Sequence, residues 1–253
     1  TMTAQVIMLL YLLTFLTQKV HGAVIINGKN VPDGLMLYMV SVQNNKGHVC
    51  GGFLIREDYV ITAAHCDKHN PTSVIIGTHN LKNIDDSTMR YSVTRCRHPD
   101  YVKVESGDDI MLLKLVGKVQ FNNRVRPIPI PRTEVKLKDK AKCRVAGWGF
   151  TKTGGKISNG LKVADVSLMS LKECKNKWKF LKHSLPNNIT CAAGPKLKAG
   201  FCKGDSGGPL ICGGKAVGIV SFNMECDTYV PNVYTDVSKY VSWINGIVKQ
   251  NHC

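Results

Sequence analysis

Gly204-Asp205-Ser206-Gly207-Gly208-Pro209, read together with Thr62-Ala63-Ala64-His65-Cys66, decides how this 253-residue chain is understood. A neutral serine hydroxyl is a weak nucleophile until a base within hydrogen-bond reach removes its proton. Histidine changes charge near neutral pH, so it can take a proton and return it. A carboxylate is then needed to orient the imidazole. Asp109, in Asp108-Asp109-Ile110-Met111-Leu112-Leu113-Lys114-Leu115, is available for that task. Lone histidines such as His21, His69, His79 and His183 read as structural or solvated. His65 differs from them because motif, order and partners agree.

Around these motifs, apolar runs alternate and end in turn residues. Met39-Val40-Ser41-Val42-Gln43, Tyr59-Val60-Ile61-Thr62, Ser73-Val74-Ile75-Ile76 and Ala216-Val217-Gly218-Ile219-Val220 read as short strands at barrel-like spacing. Glycine is frequent and long helical periodicity is scarce, which favours an all-β fold. Arg124 to Arg132 carries three prolines, which remove backbone donors, so it reads as a linker rather than a central strand. His65 and Asp109 precede it and Ser206 follows it. A site built from all three therefore lies in the cleft between two halves. Ser170 is positioned to cap a short helix running to about Trp178. Val237, Val241, Ile244 and Val248 recur at helical spacing and predict a C-terminal helix.

The formal net charge is +16. Such an excess attracts polyanions and weakens with salt. Lysines cluster at Lys136 to Lys142 and at Lys172 to Lys182, while no nucleic-acid recognition motif is present, so DNA binding would be non-specific. Val6 to Leu16 is an apolar run too short to span a membrane and reads as the core of a signal peptide covering residues 1–22. Ten cysteines in a secreted chain imply a disulfide framework whose pairing the sequence alone leaves open. No Cys-x-x-Cys cluster has metal-ligand spacing, so neither metal nor cofactor is expected. Asn188-Ile189-Thr190 is a glycosylation sequon.

From Ile25 onward the chain resembles the trypsin/chymotrypsin family of serine proteases. His65, Asp109 and Ser206 come in that family's order. Further resemblance lies in Cys50-Gly51-Gly52-Phe53-Leu54-Ile55, Ala146-Gly147-Trp148-Gly149 and Ser221-Phe222. His98-Pro99-Asp100-Tyr101 and Asp109-Ile110-Met111-Leu112-Leu113 are most similar to the granzymes and mast-cell proteases. The resemblance implies two six-stranded antiparallel β-barrels, residues 25–126 and 127–253, the second carrying the C-terminal helix. It implies disulfides Cys50–Cys66, Cys143–Cys212, Cys174–Cys191 and Cys202–Cys226. Cys96 and Cys253 remain, either paired with each other or with Cys96 bridging two subunits.

The same resemblance implies a secreted or granule-stored endopeptidase acting on protein or peptide substrates. His65, Asp109 and Ser206 would be catalytic, the N–H groups of Gly204 and Ser206 would bind the oxyanion, and Ser221 would support Asp109. Ile25-Ile26-Asn27-Gly28 resembles the start of mature family members, whose freed ammonium pairs with the residue matching Asp205. Ser41 and His48 match positions that hold this Asp in the zymogen. Ala23-Val24 then reads as an activation dipeptide removed by a dipeptidyl peptidase. A sulfated proteoglycan is the expected counter-ion. The alternative is a protease-like protein of little activity that binds proteoglycan through its charge.

The primary specificity pocket would have Gly200 at its base, where trypsins carry Asp, and Asn223 and Asn232 in its walls. An uncountered cation there would be costly. Cleavage after small or medium uncharged residues is therefore expected. Thr78 replaces a calcium-ligand Glu of trypsin, so no calcium site is expected.

Overall fold

Short β-branched runs closed by turns become thirteen strands among the described residues of the computed structural model. It describes residues 25, 28–84, 89–152, 154–197, 199–224, 226, 229–251 and 253. The signal-peptide and activation-dipeptide readings lie outside the described residues. After the two-residue β1 (Lys29–Asn30) come β2 (Met39–Asn44), β3 (Gly47–Arg56), β4 (Tyr59–Thr62), β5 (Ser73–Ile76), β6 (Met89–Arg97) and β7 (Met111–Leu115). Strands β2 to β7 form one closed antiparallel barrel in the order β2-β3-β4-β7-β6-β5, with β5 pairing back onto β2 through Val40↔Ile76. Val42, Phe53, Leu54, Val60, Ile61, Leu112 and Leu113, which alternate between its interior and the surface covered by the rest of the fold, are fully buried. Each such side chain contributes about 1.5–3 kcal/mol relative to an exposed one.

The second barrel contains β8 (Lys142–Gly147), β9 (Lys162–Met169), β10 (Ile189–Ala193), β11 (Pro209–Cys212), β12 (Lys215–Phe222) and β13 (Asn232–Asp236). Its order is β9-β10-β13-β12-β11-β8, and β8 closes it by pairing with β9. β1 extends this sheet along β9. The fold is thus the expected pair of six-stranded barrels, the chymotrypsin-like architecture. The proline segment ties them together: Ile128 N–H donates to the Leu54 carbonyl, and the Pro129 carbonyl accepts from Ala216 N–H.

Helix α1 (Leu171–Lys179) begins where Ser170 Oγ accepts from the Glu173 N–H at 3.2 Å, as the capping pattern predicts. Helix α2 (Val241–Gln250) follows a 3₁₀ turn over Val237–Tyr240. Val237, Val241 and Ile244 are buried, so the predicted apolar stripe faces the core, but Val237 sits in the tighter turn rather than the helix. The four expected disulfides are formed. Cys96 pairs with Cys253 within the chain, which settles the open alternative and ties the end of the chain to β6. Among the described residues, no helix is long and apolar enough to cross a membrane.

Candidate active site

His65 stands on a 3₁₀ turn, Ala64–His69, immediately after β4, and Asp109 lies two residues before β7. Because β4 and β7 are paired with Thr62 opposite Met111, the ends of the two strands bring both residues to one rim of the first barrel. Asp109 is 1% exposed. Its Oδ2 accepts from His65 Nδ1 at 2.8 Å and its Oδ1 from the His65 backbone N–H at 2.8 Å. A carboxylate only accepts, so Nδ1 carries a proton, and in the neutral ring Nε2 is left with its lone pair.

Two strands of the second barrel complete the grip on Asp109. Ser221 Oγ donates to Oδ2 at 2.5 Å, and Thr235 Oγ1 donates to the Asp109 carbonyl at 2.9 Å. Burial works against the Asp109 charge, yet His65 beside it, with the hydrogen bonds from His65 and Ser221, holds its carboxyl below the usual carboxylate range. Ser221 was expected here. Thr235 was not, because a threonine in a buried strand carries no signal of its own.

Ser206 reaches the same rim from the second barrel. Its carbonyl accepts from Gly51 N–H of β3 at 2.8 Å, and Cys66 Sγ, next to His65 in sequence, lies 3.9 Å from that oxygen. The turn before it is fixed by Asp205, whose N–H donates to the Cys202 carbonyl and whose own carbonyl accepts from Gly208 N–H. Among the described residues, the N–H groups of Gly204 and Ser206 make no backbone hydrogen bond. Gly204 has φ +94°, and a Cβ there would lie 2.6 Å from Ile157 Cδ1. Only glycine fits this turn without strain.

Asp205 is fully buried. Its Oδ1 accepts from Gly149 N–H at 2.7 Å and its Oδ2 from Cys202 N–H at 2.9 Å. Burial raises its pKa to about 7, against the pull of those two hydrogen bonds. A Cβ on Gly147 or Gly149 would collide with its carboxyl group, which explains the Ala146-Gly147-Trp148-Gly149 motif as space kept for this side chain. His48 does not hold Asp205 here. Its Nε2 instead donates to the Gly204 carbonyl at 3.0 Å, and its Nδ1 accepts from Ser41 Oγ at 2.8 Å. The Ile25 side chain is buried in the apolar core of the second barrel, beside Val145, Leu210 and Val220.

Gly200, Asn223 and Asn232 come together. A Cβ on Gly200 would collide with Asn232 Nδ2, so the Asn232 amide lies directly over this glycine. Asn232 is fully buried rather than solvated. Asn223 Nδ2 donates to the Phe201 carbonyl at 2.8 Å and to Asn232 Oδ1 at 3.2 Å. Cys50, His65 and Cys66 bring three potential metal-ligand atoms close together, but both sulfurs are spent in a disulfide. That set does not fit a metal, because thiolate is the ligating form.

The trypsin family matches residues 25–244 of the chain. Mouse granzyme B(G,H) is 38% identical over 97% of this chain and 99% of its own length. Rat granzyme M is 37% identical, covering 89% of this chain and 90% of its own. Sheep mast cell protease 3 is 36% identical over 96% and 97%. Identity of this extent leaves no part of the barrel pair unmatched, and the chain belongs to the trypsin family of serine proteases, related to the granzymes and mast cell proteases.

Proposed function

We propose that the chain is an endopeptidase in which Ser206 Oγ attacks a peptide carbonyl while His65 Nε2 takes its proton. His65 then protonates the leaving amine, and water releases the acyl group with His65 acting again as base. Asp109 fixes the imidazole and stabilises its charged form. The Gly204 and Ser206 N–H groups hold the oxyanion, a donor pair in which each member is worth roughly 3–4 kcal/mol of barrier. The observation that carries this reading is the hydrogen bond from His65 Nδ1 to Asp109 Oδ2, in a carboxylate clamped by Ser221.

Activation follows from the state of Asp205. A buried carboxylate resting on two amide donors gains most from a cation. Removal of Ala23-Val24 by a dipeptidyl peptidase supplies one, the Ile25 ammonium. The side chain of Ile25 already packs in the same barrel. Asn232 over Gly200 supports a narrowed pocket and a preference for small or medium uncharged residues.

A sulfated proteoglycan fits the charge. One groove is lined by both Lys140 and Lys177, so the two lysine-rich segments meet on one face, beside α1. Storage in a secretory granule or secretion agrees with such a partner. Asn188 is exposed at the start of β10 and suits a glycan.

The test is a peptide library, varied at the residue before the cleaved bond, assayed with protein beginning at Ile25. Cleavage that Ser206→Ala abolishes is the expected result. No cleavage by either protein, with retention on heparin, would favour the charge-driven binding reading.

A further inference from the structure

Three buried side-chain atoms among the described residues have no hydrogen-bond partner: Asp58 Oδ1, Asn232 Nδ2 and Tyr234 Oη. Two of them sit on β13, two residues apart and so on the same face. A buried donor without a protein partner is expensive, so each such group calls for a partner from outside the chain, an ordered water or a ligand.

The direction of the Asn232 amide is fixed by a relay. The Phe201 carbonyl can only accept, so the group that Asn223 turns to it must be the Nδ2 amide. The same Nδ2 faces Asn232 and demands an acceptor there, which places Oδ1 toward Asn223 and Nδ2 away from it. Nδ2 then points over Gly200, the base of the pocket. Asn232 could in principle present either end of its amide. The carbonyl two residues removed decides that it presents the donor end.

Resting on the peptidase reading above, we propose that the Asn232 amide makes the pocket floor a hydrogen-bond donor, and that the enzyme cleaves after side chains ending in a carboxamide, glutamine or asparagine. The substrate carbonyl accepts from Asn232 Nδ2. The Tyr234 hydroxyl, which both donates and accepts, is the second unpaired group within the same part of the barrel and suits the substrate NH₂. A carboxylate would match the donor but not the field. Asp205 acts electrostatically on Tyr234, and none of Gly200, Phe201, Asn223, Asn232 and Tyr234 carries a positive charge. An uncountered buried charge is costly. Aliphatic side chains would leave Nδ2 unpaired.

The experiment uses protein beginning at Ile25 and peptide amides that differ only in the residue before the cleaved bond. Gln is compared with Met, and Asn with Leu, pairs of similar size; Glu is the fifth substrate. Enzyme concentrations come from titrating Ser206 with a fluorophosphonate. The expected result is a kcat/KM about tenfold or more higher for each amide than for its apolar partner, with Glu below Gln. Asn232→Leu should reverse both preferences. Asn223→Ala, which frees the Asn232 amide to turn, should shrink them. Apolar substrates cleaved as well as the amides, Glu cleaved best, or an unchanged preference in Asn232→Leu would overturn the proposal while leaving the peptidase intact. Absence of fluorophosphonate labelling would overturn the peptidase reading itself and this proposal with it.

Discussion

His48 Nε2 donates to the Gly204 carbonyl across 156 residues of sequence, at 3.0 Å. The bond joins β3 of the first barrel to the turn that carries Asp205 and Ser206. In the neutral ring Nε2 donates to Gly204 and Nδ1 accepts from Ser41 Oγ, so both nitrogens are satisfied without a charge. Burial pushes its pKa down to about 4, although the Gly204 carbonyl pulls the other way. The depressed value means that the neutral ring stabilises the fold above the unfolded value of 6.5. That contribution declines as pH falls toward 4. The full span is up to about 3 kcal/mol. Denaturant titrations of protein beginning at Ile25, whose ammonium would offset the Asp205 charge, should show this loss between pH 7 and pH 4, and His48→Phe should remove that part of the pH dependence. A variant with the unaltered pH slope would show that His48 is not the titrating group.

Asp205 has the opposite sign. Burial raises its pKa to about 7, so the neutral acid is favoured in the fold. Its stabilisation is present below about pH 4 and is lost as pH rises through 7, about 4 kcal/mol in all. An Ile25 ammonium would remove this cost by pairing with the charge. The His48 contribution is common to both forms, so protein retaining Ala23-Val24 should show a less favourable change in thermal stability from pH 4 to pH 7 than protein beginning at Ile25, and the difference between them is the Asp205 contribution. Trimming should also raise activity by orders of magnitude. Equal stability profiles and equal activity before and after trimming would refute the pairing.

Much of this site is legible in the sequence, for a physical reason. His65, Asp109 and Ser206 lie in short motifs whose neighbours are constrained by the same turns, such as Gly204 at φ +94°. The strands Tyr59–Thr62 and Ser73–Ile76 are legible because short runs rich in β-branched apolar residues and flanking turn residues agree there. What could not be read is contact between distant strands. The Thr235 bond to the Asp109 carbonyl and the Phe201–Asn223–Asn232 relay depend on how two barrels face each other. No local pattern of residues specifies that. The pairing of Cys96 with Cys253 was open for the same reason, since 157 residues separate them.

The clamp on Asp109 can be taken apart in steps. Ser221→Ala removes a hydrogen bond to a buried carboxylate, worth about 1.5–3 kcal/mol. Some of that loss should appear as reduced kcat, roughly tenfold, because in the proposed mechanism the imidazolium leans on the same oxygen. Asp109→Asn should cost on the order of 10⁴ in kcat, since an amide no longer dictates the His65 tautomer. Thr235→Val, which keeps the shape and removes only the donor to the Asp109 carbonyl, should cost less than Ser221→Ala. Steady-state kinetics at one pH ranks the three, and a Thr235 effect exceeding that of Ser221 would contradict the assignment of the carboxylate as the critical partner.

The Cys96–Cys253 bond joins β6 of the first barrel to the residue three beyond the end of α2, which packs at the other end of the sequence. A link closing so long a loop restricts the unfolded chain strongly, by about 4–5 kcal/mol in the chain-entropy view, of which real proteins realise part. Cys253→Ser should lower stability by about 2–4 kcal/mol in guanidinium unfolding. Activity should change little, because neither cysteine hydrogen-bonds to His65, Asp109 or Ser221, and the β6–β7 pairing that sets Cys96 opposite Leu112 does not depend on the bond. The free Cys96 left behind is 6% exposed and poorly placed to bridge two chains. Non-reducing electrophoresis should therefore show a monomer for both the natural protein and Cys253→Ser. A disulfide-linked dimer of the natural protein would mean that Cys96 is engaged between chains rather than with Cys253, and Cys253→Ser would then leave stability unchanged.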